Sequence, residues 1–337
     1  MATDLYGLSA GSIVLVTGAN GYIASHVINI LLQRGYRVRG TVRQPRPWVD
    51  EFFQNRYGNR FELVIPDFGQ HDAIARLMAD VAGVALIATD NSFLDDHEII
   101  TRAVKSTLTW LEAASKQSTV KRVVLTSSAT ACILPQANKY AKIHKGTYNE
   151  TSLNAVELNT PESCLPGLSV YAASKTESER QAWLWVEENR PSFAFNSVVP
   201  DYNFGSYLCP QIVGPSMAAI CRILQGYGDI MRLYPPVWYV DVEDTARLHV
   251  AALLDTSLAS ERIFATAEPF TWHQVVEILR DLCPDNLRIP DPPSEKMYCL
   301  VDFTESKKAE KILSDFFGRS GWTSLRKSIT NGIANSF

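Results

Sequence analysis

One stretch constrains the fold more than any other: Ile13-Val14-Leu15-Val16-Thr17 running into Gly18-Ala19-Asn20-Gly21-Tyr22-Ile23-Ala24. The first five residues are apolar or β-branched on both faces and read as a strand covered on both sides. From Ile23 to Arg34 apolar residues recur at helical spacing, and the pattern stops at Gly35. A buried strand turning directly into a helix needs small residues at the junction. Gly18 permits the tight turn, Gly21 lets a pyrophosphate approach the backbone, and Ala24 keeps the helix close to the sheet. The first helical N–H groups and the positive dipole end then face an anion. A glycine set alone is weak evidence, but here it opens a βαβ unit, which is the context it requires. Gly18, Asn20, Gly21, Tyr22 and Ile23 are therefore the expected phosphate cradle.

The rhythm continues. Strands are expected at 37–43, 61–65, 84–89, 122–127 and 193–199, with helices around 73–80, 98–116 and 171–189 between them. Strand–helix alternation at this spacing gives right-handed crossovers and an α/β, doubly wound parallel sheet. After Pro200 the pattern loosens, and 202–215 and 226–236 are rich in turn formers. The expected organisation is a dinucleotide-binding domain over 1–199 and a smaller, mostly helical substrate-binding lobe over 200–337. Segment 237–265, two short strands flanking a helix at 243–254, should return to the sheet edge. Helices at 272–282 and 305–313 should help the lobe cover the strands' carboxyl ends, where ligands bind in such sheets.

Composition narrows the function classes. With 46% hydrophobic and 20% charged residues the chain is ordinary for a globular protein. A net charge of −4 offers no basic field to nucleic acid or an anionic membrane. No apolar run approaches the ~18 residues that a membrane span needs, and 1–12 has no signal-peptide pattern. The six cysteines are scattered without a CxxC, so neither a disulfide framework nor a metal site is expected. A cytoplasmic protein with reduced thiols fits, as monomer or homodimer.

The end of the second strand distinguishes the cofactors. An NAD site needs an acid about 20 residues past the glycines to accept from the ribose hydroxyls. Here the chain reads Arg39-Gly40-Thr41-Val42-Arg43-Gln44-Pro45-Arg46, with no acid before Asp50. Arg43, aided by Arg46, can instead hold a 2′-phosphate through its guanidinium. NADP(H) is the expected cofactor.

Tyr171 and Lys175 stand at i and i+4, stacked on one helix face. That spacing suits carbonyl reduction, with the phenol as general acid and the ammonium lowering its pKa and holding the nicotinamide ribose. A tyrosine four residues before a lysine arises often by chance, and the partner raises its value. Ser128 closes the fifth strand at the carboxyl edge, where its hydroxyl can polarise a substrate carbonyl.

The set TGANGYIAS, GTVR, VVLTSS, YAASK and YVDVEDTA resembles the extended short-chain dehydrogenases/reductases, and among them fungal aldehyde/ketone reductases and plant dihydroflavonol reductases. The resemblance implies a Ser128–Tyr171–Lys175 triad and hydride delivery from NADPH to an aldehyde or ketone. It implies that Arg43 contacts the 2′-phosphate, that Asp67 and Phe68 flank the adenine, and that Ala88 and Thr89 line the cofactor. Val199 and Pro200 would sit beside the carboxamide. Phe93, Ala129, Tyr202, Tyr234 and Val237 are the implied substrate pocket, for a small, hydrophobic carbonyl compound. Ala24 replaces the third glycine of many relatives. Lys105 falls where relatives tend to carry asparagine, and is expected to alter the hydrogen-bond network behind the site.

Two rivals share this fold. A nucleotide-sugar epimerase or dehydratase would carry an acidic second-strand end and basic residues for a diphosphate; Arg43 and the apolar run from Tyr234 to Tyr239 argue against it. A non-catalytic NADP-sensing regulator would have no need of Ser128, Tyr171 and Lys175 together.

Overall fold

The computed structural model describes residues 6–67, 73–158 and 166–334. In chain order it forms β1 (Ile13–Thr17), α1 (Tyr22–Gln33), β2 (Arg37–Thr41), α2 (Pro47–Tyr57), β3 (Phe61–Val64), α3 (Ala73–Leu77), β4 (Val81–Leu86), α4 (Glu98–Ser115), β5 (Arg122–Thr126), β6 (Tyr140–Ile143), α5 (Glu150–Glu157), α6 (Pro166–Asn189) and β7 (Ala194–Pro200). There follow β8 (Tyr202–Phe204), α7 (Pro215–Leu224), α8 (Ile230–Leu233), β9 (Trp238–Asp241), α9 (Val242–Leu254), β10 (Arg262–Ala265), β11 (Glu268–Pro269), α10 (Trp272–Leu282), β12 (Leu300–Phe303), α11 (Ser306–Phe317) and α12 (Leu325–Ile333).

Seven strands make one sheet in the order β3-β2-β1-β4-β5-β7-β10, and every neighbouring pair is parallel. Both faces are covered, which is why the central strands are apolar throughout: Val14, Leu15 and Val16 are fully buried. On one face α1 and α9 pack together, joined by α2. On the other lie α4 and α6, with Trp110, Leu111 and Phe195 between helix and sheet. Chain direction across the sheet reverses between β1 and β4. Thr17 stands at that divergence, and its Oγ1 accepts the Ile87 and Ala88 N–H groups at 2.9 and 3.0 Å, fixing where the β4 chain leaves the sheet. A crevice opens there, as the topology requires.

A second apolar cluster builds the lobe, with Phe204, Met217, Ile220, Trp272, Leu279 and Ile329 at its centre. Two expected placements change. Segment 237–241 does not reach the main sheet: β9 pairs with β8 in parallel and with β11 antiparallel, as a separate three-stranded sheet. The chain leaves β7 after Pro200 and continues as β8, whose open edge captures β9; only β10 returns to the main sheet. Helix α11 also departs from the lobe. Its Ala309, Ile312 and Leu313 are buried against α9 and β10, giving the outermost sheet strand its cover. Shorter shifts occur too: β4 ends at Leu86 rather than Thr89, and α6 starts before Tyr171, at Pro166. A two-stranded parallel sheet, β6 with β12, was not anticipated.

Candidate active site

A cavity of about 1300 Å³ runs along the carboxyl edge of the sheet beneath the lobe. That exceeds the usual ~300–1,000 Å³ of a single-ligand pocket. Its floor at one end is the β1–α1 turn. Gly18 has φ +72°, and a Cβ there would meet the Ala88 Cα at 3.1 Å. Gly21 caps α1 without any side-chain hydrogen bond, so the first-turn N–H groups stay available for an anion. Asn20, Tyr22, Ile23 and Ala24 line the same stretch. Tyr22 does more than line it. Its Oη donates to the Gly205 carbonyl at 2.6 Å, pinning the lobe to α1.

Further along, Thr41, Val42 and Arg43 form the wall at the end of β2, with Arg46 and Trp48 from the start of α2. Arg43 is exposed and makes no hydrogen bond or ion pair among the described residues, so its guanidinium is available to a phosphate. Ala88 and Thr89 line the cavity. Pro66 lines it in place of Asp67, and Phe68 lies outside the described residues. Asp90 and Arg102 also face this end; neither was singled out from sequence.

Ser128, Tyr171 and Lys175 meet in one wall. Ser128 lies two residues beyond β5 and caps the following turn, its Oγ accepting from Thr130 N at 3.2 Å and Thr130 Oγ1 at 2.9 Å. With its acceptor positions used in this way, its own proton is free to turn toward the Tyr171 phenol, whose pKa it lowers. Lys175, one turn along α6, donates from Nζ to the Thr126 carbonyl at 3.0 Å. Burial lowers the Lys175 pKa to about 8, opposed by the Glu179 carboxylate. Burial pushes Tyr171 up to about 12; the nearby Ser128 hydroxyl works against this and the Asp201 charge adds to it. This reverses the expected direction, in which Lys175 was to lower Tyr171: desolvation dominates, and the ammonium is turned to Thr126.

Behind this wall lies a buried ion pair that sequence reasoning missed. Glu179 is one further turn along α6 and pairs with Arg262 of β10 through Nε at 2.9 Å and Nη2 at 2.7 Å. Ser127 and Ser197 also donate to it, at 2.6 and 2.7 Å. Burial alone would raise the Glu179 pKa, but Arg262 and the two hydroxyls outweigh it and hold it below the usual range. The two partners are 83 residues apart, and no local pattern announces such a pair.

Of the expected substrate pocket, Phe93, Tyr202 and Tyr234 line the cavity. The Phe93 ring lies 5.0 Å from that of Tyr171, and Phe93 has φ +51°. Its carbonyl sits so close to α6 that a Cβ at Gly167 would fall 1.7 Å away, so only glycine fits there. Ala129, Val199 and Val237 do not line it. Ala129 and Val199 point into a small apolar cluster with Phe264 and Phe303, and Val237 is fully buried in the lobe core. Pro200, next to Val199, does face the cavity. Lys105 is exposed and does not line the cavity, whereas its neighbours Ser106 and Thr107 do. Gln211, Val213 and Ile230 from the lobe complete the far end.

The geometry can be set beside known proteins. The profile of the NAD dependent epimerase/dehydratase family matches residues 14–265. A ketoreductase of Penicillium rubens is 44% identical over 330 residues, covering 96% of each chain. Aldehyde reductase 2 of Sporidiobolus salmonicolor is 35% identical, covering 97% of each. Among solved structures, Gre2 of Candida albicans in complex with NADPH superposes with a TM-score of 0.78 at 26% identity, over 96% of this chain and 99% of that one.

Proposed function

Since the chain belongs to the NAD-dependent epimerase/dehydratase family, we propose that it reduces an aldehyde or ketone to the alcohol, with Tyr171 as general acid. It is an NADP(H)-dependent oxidoreductase of the extended short-chain type, like the reductases it matches. The residues present fit that cofactor. The Gly18 cradle would be filled by any Cβ, the α1 N-terminus carries no side-chain cap, and Arg43, exposed and without a hydrogen bond among the described residues, lines the cavity where a 2′-phosphate would lie. Bound there, the cofactor supplies a hydride to the carbonyl carbon.

One observation carries the reading: Ser128, Tyr171 and Lys175 line one cavity wall that continues into the glycine turn. A carbonyl oxygen placed between the two hydroxyls would accept from both. As negative charge develops on that oxygen, Tyr171 gives up its proton and Ser128 keeps its hydrogen bond. The high Tyr171 pKa keeps the phenol protonated at neutral pH, which is the form reduction requires. Lys175, with Nζ also on the Thr126 carbonyl, would hold the ribose hydroxyls. Phe93, Tyr202 and Tyr234 favour an apolar substrate.

NADPH oxidation, followed at its absorbance over aliphatic, aromatic and dicarbonyl substrates, tests the reading. Turnover with one or more carbonyls is expected. NADPH binding without oxidation by any of them would point to the sensing regulator instead.

A further inference from the structure

Asp201 neither gives nor takes a proton in the reduction just described, although its charge raises the Tyr171 pKa. It follows Pro200 at the end of β7 and lines the cavity beside Tyr171, Tyr202 and Tyr234. Its Oδ2 accepts the Trp238 N–H at 3.1 Å, which fixes the carboxyl between β7 and β9. Behind it lies only a void of about 10 Å³, too small for more than one water. Tyr171 on α6, Tyr202 on β8, Tyr234 before β9 and Cys299 before β12 all feel its charge. Among the described residues no lysine or arginine pairs with it. A carboxyl without a counter-ion in an aromatic wall is costly to ionise, and burial pushes its pKa up to about 7.

An acceptor held rigidly in an otherwise apolar wall discriminates among substrates. It favours a neutral ligand that brings its own hydrogen-bond donor, and disfavours an anion. We propose that Asp201 is a specificity residue that accepts a hydrogen bond from a hydroxyl on the substrate. The class reduced is thus uncharged hydroxylated carbonyl compounds, and keto acids are excluded. The inference rests on the carbonyl-reduction reading. The same cavity wall presents proton donors to the reacting oxygen, through Ser128 and Tyr171, and an acceptor to a second oxygen nearby.

The test uses cyclic ketones bearing a hydroxyl two, three or four carbons from the carbonyl, their deoxy counterparts, and a keto acid of similar size. NADPH oxidation is followed with the parent, Asp201→Asn and Asp201→Leu. In the parent, one or more hydroxy ketones should exceed the deoxy partner by about tenfold or more in kcat/KM, chiefly through KM, with the keto acid poorest. Asp201→Asn retains an acceptor for Trp238 and for the hydroxyl, so it should keep the preference and gain activity on the keto acid. Asp201→Leu should bring the hydroxy/deoxy ratio close to one. Equal kcat/KM for every matched pair in the parent would overturn the inference while leaving carbonyl reduction standing, as would a preference that survives in Asp201→Leu. Should the leucine variant fail to fold, an unchanged keto-acid rate in Asp201→Asn overturns it. No oxidation with any ketone would remove the reduction reading itself.

Discussion

Tyr171 and Lys175 are one helical turn apart, yet burial moves their pKa values in opposite directions, to about 12 and about 8. Each neutral form is favoured by removal from water. For the tyrosine this secures a proton to give. Tyr171→Phe should lower turnover about 10²-fold or more while NADPH affinity is retained, measured by steady-state kinetics and fluorescence titration. For the lysine the consequence lies in the cofactor. The ammonium is present below pH 8 and is lost as pH rises through that value, so the Kd for NADPH should increase above about pH 8. Lys175→Met should bind more weakly throughout and show no break there; the same break in the variant would assign it to another group. The tyrosine, lysine and Ser128 were legible because their spacing and strand-end position are local. Asp201 was not, since an acid after a strand is ordinarily a cap, and its neighbours come from α6, β8 and the loop before β9.

At the scale of elements, Glu179 and Arg262 decide how α6 meets the sheet. The pair joins α6 to β5 through Ser127, to β7 through Ser197 and to β10 through Arg262 itself. Arg262 also donates to the carbonyls of Lys145 and Thr147 and lies over the Tyr148 ring. Removing one member leaves a buried charge unpaired, so Arg262→Met should cost about 3–5 kcal/mol of stability. The double variant Glu179→Leu with Arg262→Met should be the more stable of the two, because the orphan carboxylate is gone. Denaturant unfolding of both proteins measures this; a double variant less stable than the single one would mean that Glu179 stabilises the fold even without Arg262. The strands and helices of the first two hundred residues were readable because each has its own apolar period. The β6–β12 and β8–β9 pairs were not: they are three or four residues long and parallel, and β6 meets β12 across some 160 residues.

For the whole molecule, the lobe and the sheet share one cavity, so a ligand that fills it stabilises both. At 100 times its Kd, NADPH should stabilise the fold by about 2.7 kcal/mol. If Arg43 holds the 2′-phosphate, NADH at the same concentration should fall short by about 1.4 kcal/mol, a tenfold weaker Kd. Thermal unfolding with each nucleotide, in the parent and in Arg43→Ala, measures this; the variant should respond nearly equally to both. Equal shifts in the parent would remove Arg43 from the cofactor site. The doubly wound sheet and its crevice were evident from the strand–helix rhythm. The placement of α11 was hidden, because an amphipathic helix reads alike whether it covers the lobe or the sheet.

That placement bears on how the chain is made. Helix α11 seals the apolar seam of α9 and β10, and Phe316 meets Tyr6 edge to face at 5.7 Å. On the ribosome, residue 6 emerges some three hundred residues before its partner. The nascent chain can pair β1, β2, β4 and β5 early, but the seam beside α9 stays open until 306–317 have cleared the exit tunnel. The seam therefore closes only after nearly all of the sheet has been made, and through that interval the open seam is where a chaperone would hold it.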